Sequence, residues 1–195
     1  MNRLVVLTRW KGLWGGPKYV QEIPTMQYGL VILKPDSIRD GLEGNIIRCL
    51  EEGGLEIVWK KYWQIRPEVA HVIYPKETAE PTYSSKVRAI TFGLSMIIVV
   101  KNLTNNADIW EVLRKLKGRM DTGGIRNKFR YHSKDELILM GYKGLSLQDK
   151  LAENRLHTPD DAEQAAAIVA LCREEGIGVP LPIIDFLGQA CGCGK

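Results

Sequence analysis

Hydrophobic positions fall along this chain in short runs of two kinds, continuous and periodic, and their alternation predicts an architecture. "YGLVILKPDS" is a continuous apolar run closed by Pro35, the pattern of a buried strand. "DGLEGNIIRCLEEGG" sets Leu42, Ile46, Ile47, Cys49 and Leu50 at helical spacing before a Gly53-Gly54 stop, which predicts a short amphipathic helix. "LEIVWKKYWQI" alternates and predicts a second strand. "RPEVAHVIYP" opens with Pro67 in a first helical turn and stops at Pro75, and "SSKVRAITFG" is a second short helical piece closed by Gly93. "LSMIIVVKN" is the strongest strand pattern. "NNADIWEVLRKLKG" predicts a helix capped by Asn106, with Ile109, Val112, Leu113 and Leu116 on its apolar face and Gly118 as its stop. A Gly-rich turn, "RMDTGGIRNKF", leads into a poorly patterned stretch, about residues 130–153, which reads as an insertion with some helix. A short strand, "NRLH", and a helix, "DDAEQAAAIVALCREEG", with Thr158 or Asp160 available as its cap, close the core.

The order strand, helix, strand, helices, strand, helix, strand, helix is the ferredoxin-like split β-α-β plan, an α+β fold with a four-stranded antiparallel sheet and helices on one face. The domain spans 28–177. Residues 1–27, with Trp10, Trp14 and several glycines but no sustained period, form an irregular arm, and 178–195 a tail.

Composition narrows the class. With 195 residues, 45% hydrophobic and 26% charged, the chain suits one domain with modest additions. No run approaches the roughly 18 apolar residues of a membrane span, and the Leu4 to Leu7 patch is broken too soon by Arg9 and Lys11 for a secretory signal. A cytoplasmic protein is expected. The net charge of +4 is too mild to announce a nucleic-acid binder and suits anionic ligands held by a few local cations. Of the four cysteines, Cys49 and Cys172 fall on apolar helical faces, and Cys191 and Cys193 form a C-x-C without the partners of a zinc motif, so no protein-held metal is expected.

A few residues stand out as chemistry. Lys34 ends the first strand where Pro35 turns the chain, a place from which an ammonium can meet phosphate. Arg114 on the fourth helical segment and Arg126 after "TGG" can fork around a polyphosphate. His157 ends the last strand, directly behind Asn154 and Arg155, where an imidazole is usable. His71, between Ala70 and Val72, reads as a partly buried structural histidine, and His132 as a surface side chain.

Together "LKPDSIRDGLEGNIIRCLEEGGLEIV", "VLRKLKG", "GGIRNKF" and "NRLHTPDDAEQA" resemble the nucleoside diphosphate kinase family over roughly Met26 to Arg173. The Lys-Pro-Asp and Asn-x-x-His-x-x-Asp elements, in this order, are the specific part. The resemblance implies a histidine that accepts a phosphoryl group from a nucleoside triphosphate and passes it to a nucleoside diphosphate, and it puts this role on His157. It puts phosphate binding on Lys34, Arg114 and Arg126, a tyrosine beside the histidine on Tyr74, and a ribose-side asparagine on Asn154. It implies Mg²⁺ on the nucleotide phosphates, ATP as donor and a homo-oligomer. The chain departs from the family pattern at Pro159, two places after the histidine, and at Ile168, where an acid that orients the histidine is usual. It also departs at Lys76 and Thr82, with Tyr83 adjacent as a substitute stacking ring, and in a shortened loop between Gly118 and Arg126 where only Thr122 is left to contact nucleotide. These departures support a second reading, a nucleotide-binding module with weak or no transfer. A distant third is nucleic-acid binding through the basic cluster Arg114, Lys115, Lys117, Arg119, Arg126, Lys128 and Arg130, although "LSMIIVVKN" lacks the paired aromatics of an RNA-reading sheet.

Overall fold

The structure, a computed structural model, describes residues 28–103, 108–180 and 183. Strands β1 (Tyr28–Leu33), β2 (Leu55–Trp63), β3 (Ser95–Asn102) and β4 (Leu156–His157) form one sheet in the order β2-β3-β1-β4, and every pairing is antiparallel. β1 pairs with β3 along its whole length, from Tyr28 opposite Lys101 to Leu33 opposite Met96. β4 is two residues long and pairs only Ile32 with His157 and Leu33 with Leu156. This is the ferredoxin-like split β-α-β fold.

The continuous apolar character of β1 and β3 has a simple cause: both lie at the centre of the sheet with helices over both faces. One face carries Leu30, Ile32, Ile97 and Val99 and packs against α3 (Ala70–Ile73), α4 (Tyr83–Thr91) and α9 (Ala162–Glu174) through Ile73, Ile90, Ala165, Ile168 and Cys172. The other carries Val31, Leu33, Met96, Ile98 and Val100 and packs against α2 (Glu43–Glu52) and α5 (Ile109–Lys117) through Ile46, Leu50, Ile109 and Leu113. The expectation of helices on one face is thereby corrected. β2 is the outer strand, its alternation only half-buried and interrupted by a bulge between Ile57 and Trp59.

Local details correct other expectations. Helix α5 is capped by Asp108, whose carboxylate accepts the Trp110 backbone N–H; Asn106 lies outside the described residues. Helix α9 is capped by Asp161, not by Thr158 or Asp160, with the Gln164 backbone N–H donating to the Asp161 carboxylate at 2.9 Å and the Gln164 side-chain Oε1 accepting from the Asp160 backbone N–H at 2.7 Å. Cys172 is buried as expected, while Cys49 is only half-buried and meets the Lys128 ammonium. The 130–153 segment contains α7 (Lys134–Leu139), opened by a Ser133/Glu136 capping box, and α8 (Gly144–Ala152). Val179 and Ile183 pack into the core beside α9, whereas Cys191, Cys193 and residues 1–27 lie outside the described residues. Among the described residues no helix is long and apolar enough to cross a membrane.

Candidate active site

The site grows from the end of β1. Leu33 is followed by Lys34, and Pro35 occupies the first position of α1 (Pro35–Arg39), so the chain leaves the sheet with Lys34 in extended backbone. Alternation along β1 puts Ile32 and Lys34 on the same side, and the antiparallel pair Ile32 with His157 puts the imidazole there too. Tyr74, buried just after α3, completes the group: its ring meets the His157 ring edge-on at 4.9 Å, and the Lys34 ammonium stands 5.8 Å from the Tyr74 ring centre.

Lys34 is 2% exposed and donates to the Ala152 carbonyl and to the Asn154 side-chain oxygen, each at 2.9 Å. Burial, helped by the Arg126 charge, pushes its ammonium down to about 7. The Arg126 guanidinium donates to the Leu156 carbonyl at 2.8 Å, one residue from the histidine, and burial lowers it as well. Arg126 starts from α6 (Ile125–Lys128) behind a tight hairpin: Gly118, at φ 62, lies so close to Gly123 that a Cβ there would fall 1.9 Å from the Gly123 oxygen. Only glycine fits that approach. The hairpin brings the last residue of α5, Lys117, into the field of Arg126, and burial with that charge pulls Lys117 down to about 8.

His157 is 7% exposed, and its Nε2 is buried with no hydrogen-bond partner; Nδ1 is not among the buried orphans. Burial holds its pKa well below the ordinary histidine value, and Lys34, Lys117 and Arg126 push it further the same way. The ring is therefore neutral at pH 7 and keeps a lone pair. Tyr74 Oη, Thr158 Oγ1 and Asp36 Oδ1 are also buried and unpartnered, so the unsatisfied polar atoms of the described residues gather around this one place. Burial raises the Tyr74 hydroxyl and the Asp36 carboxyl.

Of the residues singled out by sequence, Lys34, Tyr74, Arg126, Asn154 and His157 are brought together. Arg114 lies exposed on α5, one turn before Lys117, and its charge acts on Lys117. His71 is exposed, with Nδ1 against the Glu68 carbonyl at 2.9 Å, which corrects its reading as a partly buried structural residue: α3 is only one turn long and has no inner face at that position. His132 is half-buried against Tyr131, lining a cavity of about 260 Å³ with Arg39, Met140, Lys150 and Glu153, away from His157. Ile168 is fully buried in the same cluster as Ile32 and Tyr74. Thr82 donates to Glu80, Tyr83 packs partly buried against the core, and Thr122 is exposed on the hairpin.

Sequence reasoning missed Lys117, Asp36 and Arg155. The i,i+3 spacing of Arg114 and Lys117 was a usable signal, since both fall toward one side of α5 at its C-terminal end. The donor set is cationic, and among the described residues no group of three His, Cys, Asp or Glu side chains could hold a metal ion. A divalent cation does not fit these side chains unless it arrives on a ligand. Nor does the sheet offer a face for single-stranded RNA, because helices cover both sides.

The nucleoside diphosphate kinase family model matches residues 27–175. A nucleoside diphosphate kinase of Pyrococcus abyssi is 32% identical over 137 residues, covering 68% of this chain and 84% of that protein. One from Roseiflexus castenholzii is 34% identical over 98 residues, 50% of this chain; the chain spans only 63% of that relative's length and 60% of one from Herpetosiphon aurantiacus. Among solved structures, the Borrelia burgdorferi nucleoside diphosphate kinase with bound vanadate and ADP aligns with a TM-score of 0.56 and 26% identity, over 82% of this chain and 90% of that one. The Halobacterium salinarum enzyme in complex with CDP aligns with a TM-score of 0.51 and 27% identity, over 69% and 77%. The fold and the family match over 27–175 agree: this chain belongs to the nucleoside diphosphate kinase family.

Proposed function

We propose that this protein transfers the γ-phosphate of a nucleoside triphosphate to a nucleoside diphosphate through phosphorylated His157. The observation that carries the reading is a neutral, buried imidazole ringed by Lys34, Arg126 and Lys117. With Nε2 enclosed, Nδ1 is the nitrogen left to attack. A bond forms from Nδ1 to the γ-phosphorus as the bond to the bridging oxygen breaks, and the diphosphate leaves with the electron pair. A terminal phosphate oxygen of a second diphosphate then takes the group back from the ring, which makes the kinetics ping-pong.

Phosphoryl transfer asks a protein chiefly for position and for positive charge where oxygens gain negative charge. Lys34 and Arg126 supply that charge, and Lys117 supports it. An incoming polyphosphate draws Lys34 and Lys117 back to their charged forms, so binding takes up protons near pH 7 to 8. Tyr74 backs the ring from one side. Asn154 faces the sugar once the phosphates replace its bond to Lys34, and Arg114 meets the outer end of the polyphosphate. Mg²⁺ would come with the nucleotide and supply further positive charge at the phosphates. Incubation with radiolabelled ATP tests the reading: an acid-labile, alkali-stable label on the protein is expected, and none on His157→Ala.

A specific observation favours the second reading, a nucleotide-binding module with weak transfer. For Nδ1 to attack, the proton must sit on Nε2, and that atom has no acceptor; Ile168, where the family places an acid, is apolar and buried. Nucleotide binding without label would favour it.

A further inference from the structure

β4 is too short to hold itself in place, with only two residues paired, so something else must fix the nucleophile. Just before it the chain makes a γ-turn: the Leu156 N–H donates to the Asn154 carbonyl at 3.0 Å around Arg155 at φ 75. Arg155 is the one described residue other than glycine with positive φ, a strained conformation for a long side chain. Such a turn persists only where its surroundings over-determine it.

They do so here from several sides. The Arg155 N–H donates to the Asp36 carboxylate at 3.0 Å, and its carbonyl accepts from the Lys34 N–H at 2.8 Å and from the Ser37 hydroxyl at 2.7 Å. Its side chain, 2% exposed, is held through two of the guanidinium nitrogens, Nε and Nη1. Nε donates to the Phe129 carbonyl at 2.6 Å, and Nη1 donates to the Asp36 carbonyl at 3.2 Å and to the Asp40 carboxylate. Tyr131 closes the outside, its ring centre 4.2 Å from the guanidinium carbon.

We propose that Arg155 is a positioning residue for His157, and that the start of the 130–153 segment braces it, with Tyr131 as the lid over the guanidinium. The planar fork joins α1, the end of α6 and β4 into one unit, and it sets the angle at which the imidazole enters the site. A lysine cannot reproduce this, since a single ammonium cannot serve those separated acceptors in one plane.

The claim rests on His157 being the phosphoryl acceptor, so its test carries one readout that needs no turnover. With histidine labelled for NMR, Arg155→Lys and Tyr131→Ala shift the His157 ring signals in the nucleotide-free protein, while His71 stays put. In single-turnover labelling with ATP, Arg155→Lys lowers the rate by about tenfold to a hundredfold, as expected for a misplaced reacting group, with the ATP dissociation constant changed less than about threefold. Tyr131→Phe, which keeps the ring over the guanidinium, restores both readouts to wild type. Unshifted His157 signals in both Arg155→Lys and Tyr131→Ala overturn the proposal, as does a loss of ATP binding that matches the loss of rate. If the wild-type protein takes no label while Arg155→Lys and Tyr131→Ala still shift the His157 ring signals, the kinase reading is overturned and the positioning of His157 by Arg155 is upheld.

Discussion

Leu156 and His157 are neighbours on one two-residue strand, paired with Leu33 and Ile32, yet they serve opposite faces of the sheet. On the Leu156 face the cluster is apolar from Val31 and Leu33 to Ile46, Leu50 and Leu113. On the His157 face the same kind of packing, with Ile32, Ile73, Ile168 and Val169, is interrupted at one end by Lys34, Tyr74 and the imidazole, and several polar atoms there have no partner. The first face is built to hold; the second gives up satisfied hydrogen bonds to keep a neutral ring among cations. Low dielectric is what sets the second face apart, because burial disfavours the charged forms of Lys34 and His157.

That contrast can be broken from either side. Leu156→Ala should destabilise the fold by roughly 2–5 kcal/mol, as expected for a fully enclosed leucine, whereas His157→Leu should leave stability unchanged or raise it by about 1 kcal/mol by removing an orphaned nitrogen. Urea unfolding of the two variants checks this, and equal losses would erase the distinction between the faces.

Next in size is the pH dependence. The folded pKa of Lys34, about 7, lies below its unfolded value of 10.5, so the unfolded chain binds the extra proton between them and stability rises with pH across that window. His157 acts in the same sense lower down, stability being lost as pH falls below 6.5 toward its folded value. Lys117 adds a smaller rise in the same sense above about 8, and the raised thiol of Cys172 opposes both above 9, so the rise is read between pH 7 and 9. Lys34→Met should remove a few kcal/mol of pH-dependent destabilisation in that interval, leaving a flatter profile and a more stable protein at pH 7. A profile as steep as wild type would mean that Lys34 is not held neutral.

Arg126→Ala should weaken ATP roughly tenfold to a hundredfold while changing adenosine little, measured by calorimetry, because the lost interaction is a charge-assisted bond to phosphate. Equal losses for both ligands would show that Arg126 does not meet phosphate. The smallest effect is expected from Lys117→Ala: about threefold to tenfold in ATP affinity, with the His157 titration moved toward its ordinary value. No movement of that titration would remove Lys117 from the site.

Much of this was legible in the sequence, for identifiable reasons. Buried central strands leave continuous apolar runs, so β1 and β3 stand out, and α2, α5 and α9 follow from apolar spacing and glycine or acidic ends. Lys34 and His157 sit at strand ends fixed by Pro35 and by a helix start, which marks them as candidates, and the family resemblance is what implies their roles. The rest depends on tertiary geometry. Helix cover on the second face is visible only when β1 is seen to be buried on both sides. The cap of α9 moves one residue because Gln164 selects Asp161 as its partner. The inward role of Lys117 needs the closed Gly118 to Gly124 hairpin, and the strain at Arg155 needs the partners that hold it; a basic residue before a histidine announces neither.

The central claim is that a neutral His157, surrounded by Lys34, Arg126 and Lys117, accepts a phosphoryl group. Brief incubation with radiolabelled ATP, followed by acid and alkali treatment of the isolated protein, tests it most directly. An alkali-stable, acid-labile label that ADP or another nucleoside diphosphate discharges as triphosphate is expected, with no label on His157→Ala. Label that survives in His157→Ala, or a wild-type protein that binds ATP and takes none, would contradict it.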